Sequence, residues 1–375
     1  MRSVRTLILL LASAICGLAW NETGHCVIAV IAFFSLSAAE REAIFAILQD
    51  HPDFIRWVEG LTEAPREQQM RAAVEAASVW PDDLRRDPRF FSDEDPRSKN
   101  RPFDPRIPDL GRHTDWHFIN KPLIGRNLAR LVEGTDTAYR DPPNVLERIP
   151  FLRQTLQNPH GSQRLFRGYY MAWLLHLIGD IHQPLHTVAR MDTPAGPGDR
   201  GGNDFRLEPF AVEPIRKPVD NLHALWDNLL GQALQSAAIE ATARRLQMLH
   251  PRTAKAAQLD PEVWFEESVQ EARTFVYRGL NKAPRSSRGV VIPSQYFARA
   301  QVRAGRRAAL AGYRLAGVLA EIARAQARAR VAGQIQDGEP ASHSPTSARA
   351  RSRTSGSSPK PGIQMTSFSF LNQVH

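Results

Sequence analysis

Residues 176–186 read HLIGDIHQPLH, and residues 223–227 read HALWD. In each stretch a His is followed four residues later by an Asp: His176 with Asp180, and His223 with Asp227. On an α-helix that spacing puts both side chains on one face, so imidazole and carboxylate point at a common centre. A single such pair reads most simply as a hydrogen bond along a helix face. Two pairs in one chain, with His186 close behind the first, favour metal instead, because His nitrogen and Asp oxygen are both zinc donors. His182 lies between Asp180 and His186, but helical geometry turns it away from both, which gives it a structural or supporting place.

Outward from these pairs the chain reads as helices. GHCVIAVIAFFSL, residues 24–36, is apolar on nearly every side and predicts a buried first helix. Ser37 with Glu40 forms a capping box opening a second helix that ends before Pro52. Residues 66–80, rich in Ala, Glu and Gln, give a third, leading into Trp80-Pro81-Asp82. Residues 87–112 are dense in Pro, Asp and Arg and read as a long loop. Further helices are expected near 143–157, 163–181, 221–248, 262–281 and 294–328, the last running out near Ala329. Between these helices GDRGGNDFRLEPF, from Gly198, breaks the pattern, predicting a short hairpin or lid near 198–216. The fold class is therefore all-α, a single large multi-helix domain over residues 20–330.

The two ends stand apart from that domain. Arg2 and Arg5 precede the apolar run LILLLASAI, and Gly17-Leu18-Ala19 is a small-residue cleavage site, so residues 1–19 read as a secretory signal peptide. Cleavage would make Trp20 the mature N-terminus and the product exported, either secreted or periplasmic. Residues 331–375 are rich in Ser, Pro, Gln and Arg and predict a disordered basic tail. Of the two cysteines only Cys26 survives cleavage, so no internal disulfide is expected. The formal charge of +9 falls to +7 without Arg2 and Arg5, a balance compatible with an anionic substrate but spread over scattered Arg. No membrane association and no stable protein partner are expected, and the oligomeric state is open.

Adding His25, Asp82 and His117 to the five residues above makes eight donor side chains. That is too many for one ion, and three zinc ions fit the set better. Trp20 adds a further donor pair once the signal is removed, its α-amino nitrogen and carbonyl oxygen closing a five-membered chelate. Signal cleavage would then complete the site.

Taken in order, Trp20 with His25, Trp80-Pro81-Asp82, His117-Phe118-Ile119, His176 to Asp180, Gln183-Pro184-Leu185-His186, Gly201-Gly202-Asn203, and Asn221-Leu222-His223 with Trp226-Asp227 resemble the zinc-dependent single-strand nucleases of the fungal S-one and P-one type. The resemblance runs from residue 20 to about 320. That family includes plant bifunctional nucleases and shares its mostly α-helical fold with zinc-dependent phospholipases C. It implies that Asp82, His117, His176 and Asp180 hold one zinc, that Asp180 bridges to a second held by Trp20 and His25, and that His186, His223 and Asp227 hold a third. It further implies attack on phosphorus by a zinc-bridging hydroxide and 5′-phosphorylated products from single-stranded DNA or RNA. The same geometry can remove a terminal 3′-phosphate, which is a 3′-nucleotidase activity.

Around those ligands the resemblance suggests roles for four more residues. Arg85 stands where the fungal enzymes carry a Lys near the phosphate, and its fork can clamp phosphate oxygens. Asn203 belongs to the substrate-binding set. Phe118 reads either as a base-stacking platform or as a core aromatic. Asn120 replaces an Asp proposed to orient or deprotonate the nucleophile, and Asn cannot take a proton. Either the metals suffice, with Asn120 only positioning the water, or Asp83 or Asp115 substitutes. A secreted phospholipase C is the alternative function; it needs the same metals but also a membrane-binding surface or lipid-binding domain, which the polar tail does not supply. Zinc as a purely structural staple fits least, since structural sites usually saturate the ion with Cys and His.

Overall fold

The computed structural model describes residues 20–337, apart from 125–139, 141, 162, 192–197 and 281–282. The expected signal peptide, 1–19, and residues 338–375 of the expected tail lie outside the described residues. The chain is mostly helical, as expected. Helix α1 (Glu22–Ser35) is buried from Thr23 through Phe33, so it lies inside the assembly of helices with neighbours all round it. Asn21 caps it, its side-chain oxygen accepting from the Gly24 N–H. The capping box opening α2 (Ala38–Leu48) forms in both directions, Ser37 with Glu40. A single helical turn, α3 (Phe54–Trp57), has no counterpart in the sequence reading; with four residues it is too short to show a period.

Helix α4 (Arg66–Asp83) packs on α1, and α6 (Arg167–Asp180), buried from Gly168 to its last residue, packs on α1, α2, α4 and α5 (Val145–Gln157). The apolar face of α6 is in effect its whole circumference. Charged and titratable side chains are costly in such surroundings, and His176 and Asp180 are both fully buried there.

The expected helix over 221–248 is two: α7 (Leu222–Asp227) and α8 (Ser236–Leu249). Between them Gly231 takes φ +104°, a conformation that interrupts a helix and that glycine adopts without a side-chain clash. The 262–281 helix begins as α9 (Pro261–Glu271), capped by Asp260, and then widens into a π-helical turn at Ala272–Val276. The last helix, α10, runs from Ser294 to Asp337 rather than ending near Ala329, because its Ala, Arg and Gln residues continue to favour helix and no proline stops it. Contacts group residues up to Gly333 into one compact unit; of the second, 334–375, only 334–337 are described, as helix.

Strands are few and short, and they serve the site. β1 (Lys121–Ile124) pairs in parallel with β2 (Val188–Met191), Lys121 opposite Val188. The pairing sets the segments ending in His117 and His186 side by side, since the Ile119 N–H also bonds to the His186 carbonyl at 2.8 Å. The expected hairpin or lid is a hairpin displaced toward the C-terminus, β3 (Arg206–Phe210) against β4 (Val219–Asn221), and β4 runs directly into α7. β3 also lies parallel to β6 (Gly289–Val290), which pairs with β5 (Arg285–Ser286). Among the described residues no helix is long and apolar enough to cross a membrane.

Helix α10 closes on α1 at Gly312, where a Cβ would lie 2.5 Å from Ile31 Cγ2 and 3.0 Å from the Ile28 carbonyl oxygen. Removing a helix-interior glycine would ordinarily gain up to about 1 kcal/mol, but here the clash of an overpacked contact, about 1–3 kcal/mol, outweighs that gain. Gly312→Val is expected to lower unfolding free energy by about 1–3 kcal/mol, read from chemical denaturation; an unchanged midpoint would show that the two helices can separate freely.

Candidate metal centre

All eight donor side chains anticipated from the sequence are buried, and the helices deliver them to one region. His25 comes from the first turn of α1, Asp82 from the last turn of α4, and His176 and Asp180 from the end of α6. His117 and His186 each end a short helical turn just before the paired strands β1 and β2. His223 and Asp227 share a face of α7, whose N-cap is Asn221. Gly179 allows α6 to approach α1, because a Cβ there would lie 2.9 Å from His25 Nδ1. Trp20 is fully buried beside the same turn, its indole N–H donating to the Gly179 carbonyl at 3.1 Å.

The donor atoms fall into three groups among the described residues: His25, Asp82 and His176; His117, His176 and Asp180; and His186, His223 and Asp227, each with its donor atoms within 4.8 Å of one another. Asp180 splits its two oxygens between neighbours. Oδ1 lies 3.3 Å from His25 Nε2, while Oδ2 lies 3.1 Å from His117 Nδ1 and 3.2 Å from His176 Nε2. A carboxylate so placed can bridge two ions. His25 is also stacked on His176 at 3.9 Å, which draws it toward Asp82 as well as Asp180.

Backbone carbonyls select the tautomers. His176 Nδ1 donates to the Ser78 carbonyl, His186 Nδ1 to the His117 carbonyl and His223 Nδ1 to the Gly201 carbonyl, each at 2.8 Å. That leaves Nε2 of each as a lone-pair acceptor directed inward. His186 Nε2 and His223 Nε2 then face each other at 3.2 Å with no hydrogen between them, an arrangement that a shared cation stabilises and that two neutral imidazoles alone cannot. Buried atoms without a hydrogen-bond partner point the same way: His25 Nε2, Asp82 Oδ1, His117 Nε2, Asp180 Oδ1 and Asp227 Oδ2. Unpaired buried acceptors of this kind are costly unless a cation meets them. The donor set therefore fits metal, and its nitrogen and oxygen chemistry suits zinc.

Titration tendencies agree. Burial would raise Asp180, yet His176, His186 and His117 hold it well below the usual carboxylate range. Burial drives the His117 imidazole down to about 4 and lowers His25 and His186. His176 is raised despite burial, through Asp180 and Asp82, so the site favours positive charge at its Nε2, which a metal can supply in place of a proton. Asp227 is pushed well up by burial and by Asp82 and Asp180, even though Gln183 donates to its Oδ1 at 2.7 Å and Arg85 acts the other way.

Supporting residues divide into those near the ligands and those elsewhere. Arg85 Nη2 lies 3.4 Å from Asp82 Oδ1. Phe118 and Asn120 are half-buried on the segment joining His117 to β1, and Asn120 directly follows the Ile119 bonded to His186. Asn203 is half-buried, its amide donating to the Arg200 carbonyl, one residue past the Gly201-Gly202 turn. Gly201, at φ +63°, leaves no room for a Cβ, which would sit 2.3 Å from the Leu185 carbonyl oxygen.

The two carboxylates considered in place of Asn120 face elsewhere. Asp83 is exposed and lines a surface cavity with Glu22 and Glu75; burial by its surroundings, then Glu22 and Asp82, raise it to about 6. Asp115 is exposed and influenced by Asp93 and Glu94. His182 is structural, its Nδ1 donating to the Ile178 carbonyl and its Nε2 accepting from Arg314. Sequence reasoning assigns nothing to Ser78 or Gln183. Gln183 stands within the HLIGDIHQPLH motif, and a polar residue in so apolar a run is the available signal; Ser78 acts only through its carbonyl and offers none.

Comparison with known proteins agrees with this geometry. The family model described as S1/P1 Nuclease matches residues 20–324. Endonuclease 5 of Arabidopsis thaliana is 27% identical over 225 residues, which cover 55% of this chain and 70% of that protein. Endonuclease 3 of the same plant is 27% identical over 169 residues and Endonuclease 4 is 29% identical over 167, each match covering 40% of this chain and half of the relative. With the match extending over every ligand-bearing helix, the chain belongs to the S1/P1 nuclease family.

Proposed function

We propose that this chain is an exported, zinc-dependent nuclease that hydrolyses single-stranded DNA or RNA to 5′-phosphorylated products, and that the same centre removes terminal 3′-phosphates. The observation that carries this reading is the set of buried His and Asp donors in three adjoining groups, with atoms of His25, Asp82, His117, Asp180 and Asp227 lacking a hydrogen-bond partner. Family membership favours nucleic acid over the phospholipid headgroups of the alternative reading. Three zinc ions, held by Trp20 and the eight side chains, would acidify water and neutralise phosphate charge when bound. Asp180 joins two of the ion sites. Arg85, beside Asp82, is placed to meet the phosphate with a second cation of fixed geometry. Phe118 offers a half-exposed ring on which an unstacked base can lie, which favours single strands, and Asn203 lies on the turn that supports His223. Asn120 orients the attacking water without taking its proton, since an amide cannot accept one, and the exposed Asp83 and Asp115 are not among the grouped donors.

Three outcomes test this. Protein beginning at Trp20 is expected to release acid-soluble, 5′-phosphorylated nucleotides from single-stranded DNA with zinc and to stop when a chelator is added; zinc-loaded protein that releases nothing would redirect attention to phospholipid headgroups. A tag left in front of Trp20 is expected to lower zinc content by one ion per chain and remove most activity, checked by metal analysis beside the same assay; full activity in tagged protein would dispose of the chelate. Asn120→Asp is expected to alter the pH–rate profile more than the metal content, and a profile that does not move would leave this position without a role in the reaction.

A further inference from the structure

Five residues, Ile181 to Leu185, tie the ligand Asp180 to the ligand His186, and they are held from behind by groups that touch no ligand. Ser268 on α9 donates its hydroxyl to the Ile181 carbonyl at 2.5 Å. Arg307 on α10 donates Nε to the His182 carbonyl at 3.0 Å, Nη2 to the Ser268 hydroxyl, and Nη1 to Glu267 at 3.2 Å. Arg314, on the same helix and fully buried, donates to Glu267 at 2.7 and 3.1 Å and to His182 Nε2 at 3.0 Å. Two buried guanidiniums thus share one half-buried carboxylate, an arrangement that contributes little to stability for what it costs in desolvation. As a staple between α9 and α10 it is also redundant, because Arg303 and Glu271 already join those helices at 2.7 Å near the surface. What the Arg303 pair does not do is reach the tether.

We infer that Ser268 and Arg307 are positioning residues for the metal centre: they fix the Ile181 and His182 carbonyls, and so the separation and aim of Asp180 and His186. Gln183, which orients Asp227, lies on the same tether, so two of the three groups of donors include a residue it holds. A guanidinium suits the task because its planar fork can serve the His182 carbonyl, Ser268 and Glu267 together, which a single ammonium cannot. The inference rests on the metal reading of the donor groups, though not on the substrate.

The test is a chelator-competition titration of zinc on the whole mature protein, with Ser268→Ala and Arg307→Lys beside Arg303→Gln as the control at the same interface. Ser268→Ala introduces no buried charge and Arg307→Lys keeps the charge, so the pair covers the case in which one of them fails to fold. Both are expected to bind zinc about tenfold more weakly, the lower end of what losing an outer support costs a metal site. Their metal-free melting temperatures should fall by a few degrees for the buried hydrogen bonds lost, and Arg303→Gln should bind zinc as the parent does. Lowered metal-free melting with unchanged zinc affinity would mean an ordinary packing role and overturn the inference alone. Parent protein that takes up no zinc would overturn the metal reading and the inference together.

Discussion

The carboxylate of Asp180 is the constraint to which the rest of the structure answers. It lies fully buried at the end of a helix with no exposed face, and one of its oxygens has no hydrogen-bond partner. Such a group needs positive charge close by, and the surrounding imidazoles can supply only part of it. The long apolar helices α1, α4 and α6 can be read as the means of holding His25, Asp82 and His176 around that point, with glycine at 179 where the first and last must nearly touch.

How the outer parts reach the centre differs from element to element. The helices bring ligands by simple packing. The short parallel pair β1 and β2 brings in two, since His117 and His186 end the segments that lead into the paired strands. The hairpin β3–β4 brings the last two by leading into α7, while the Gly201 turn lends a carbonyl to His223. Three kinds of backbone structure thus converge on one small volume.

Much of this was legible in the sequence, and the physical reasons explain both the successes and the gaps. The pairs His176 with Asp180 and His223 with Asp227 announce themselves because four residues is one helical turn. The helix boundaries at Ser37 and Asn221 follow from side chains that cap locally. The split of 221–248 turns on one residue, Gly231, whose conformation depends on tertiary contacts: its carbonyl accepts from the Asn21 side chain, 210 residues away. Arg307 reaches the His182 carbonyl across 125 residues, and no periodicity could have tied the two together. His25, Asp82 and His117 lie between these extremes, isolated donors whose meaning came from the order of motifs around them.

The spread of the ligands along the chain also bears on when the centre can exist. From His25 at the start to Asp227, the donors span some 200 residues, and almost none of their mutual contacts are local. Contacts of such high sequence separation form late in folding. A chain emerging from synthesis therefore lacks every complete group of donors until the end of α6 has been made, and lacks the third until α7 has followed it. On the metal reading, an ion at the third group would report that α7 is in place, while the other two groups depend on nothing made after α6.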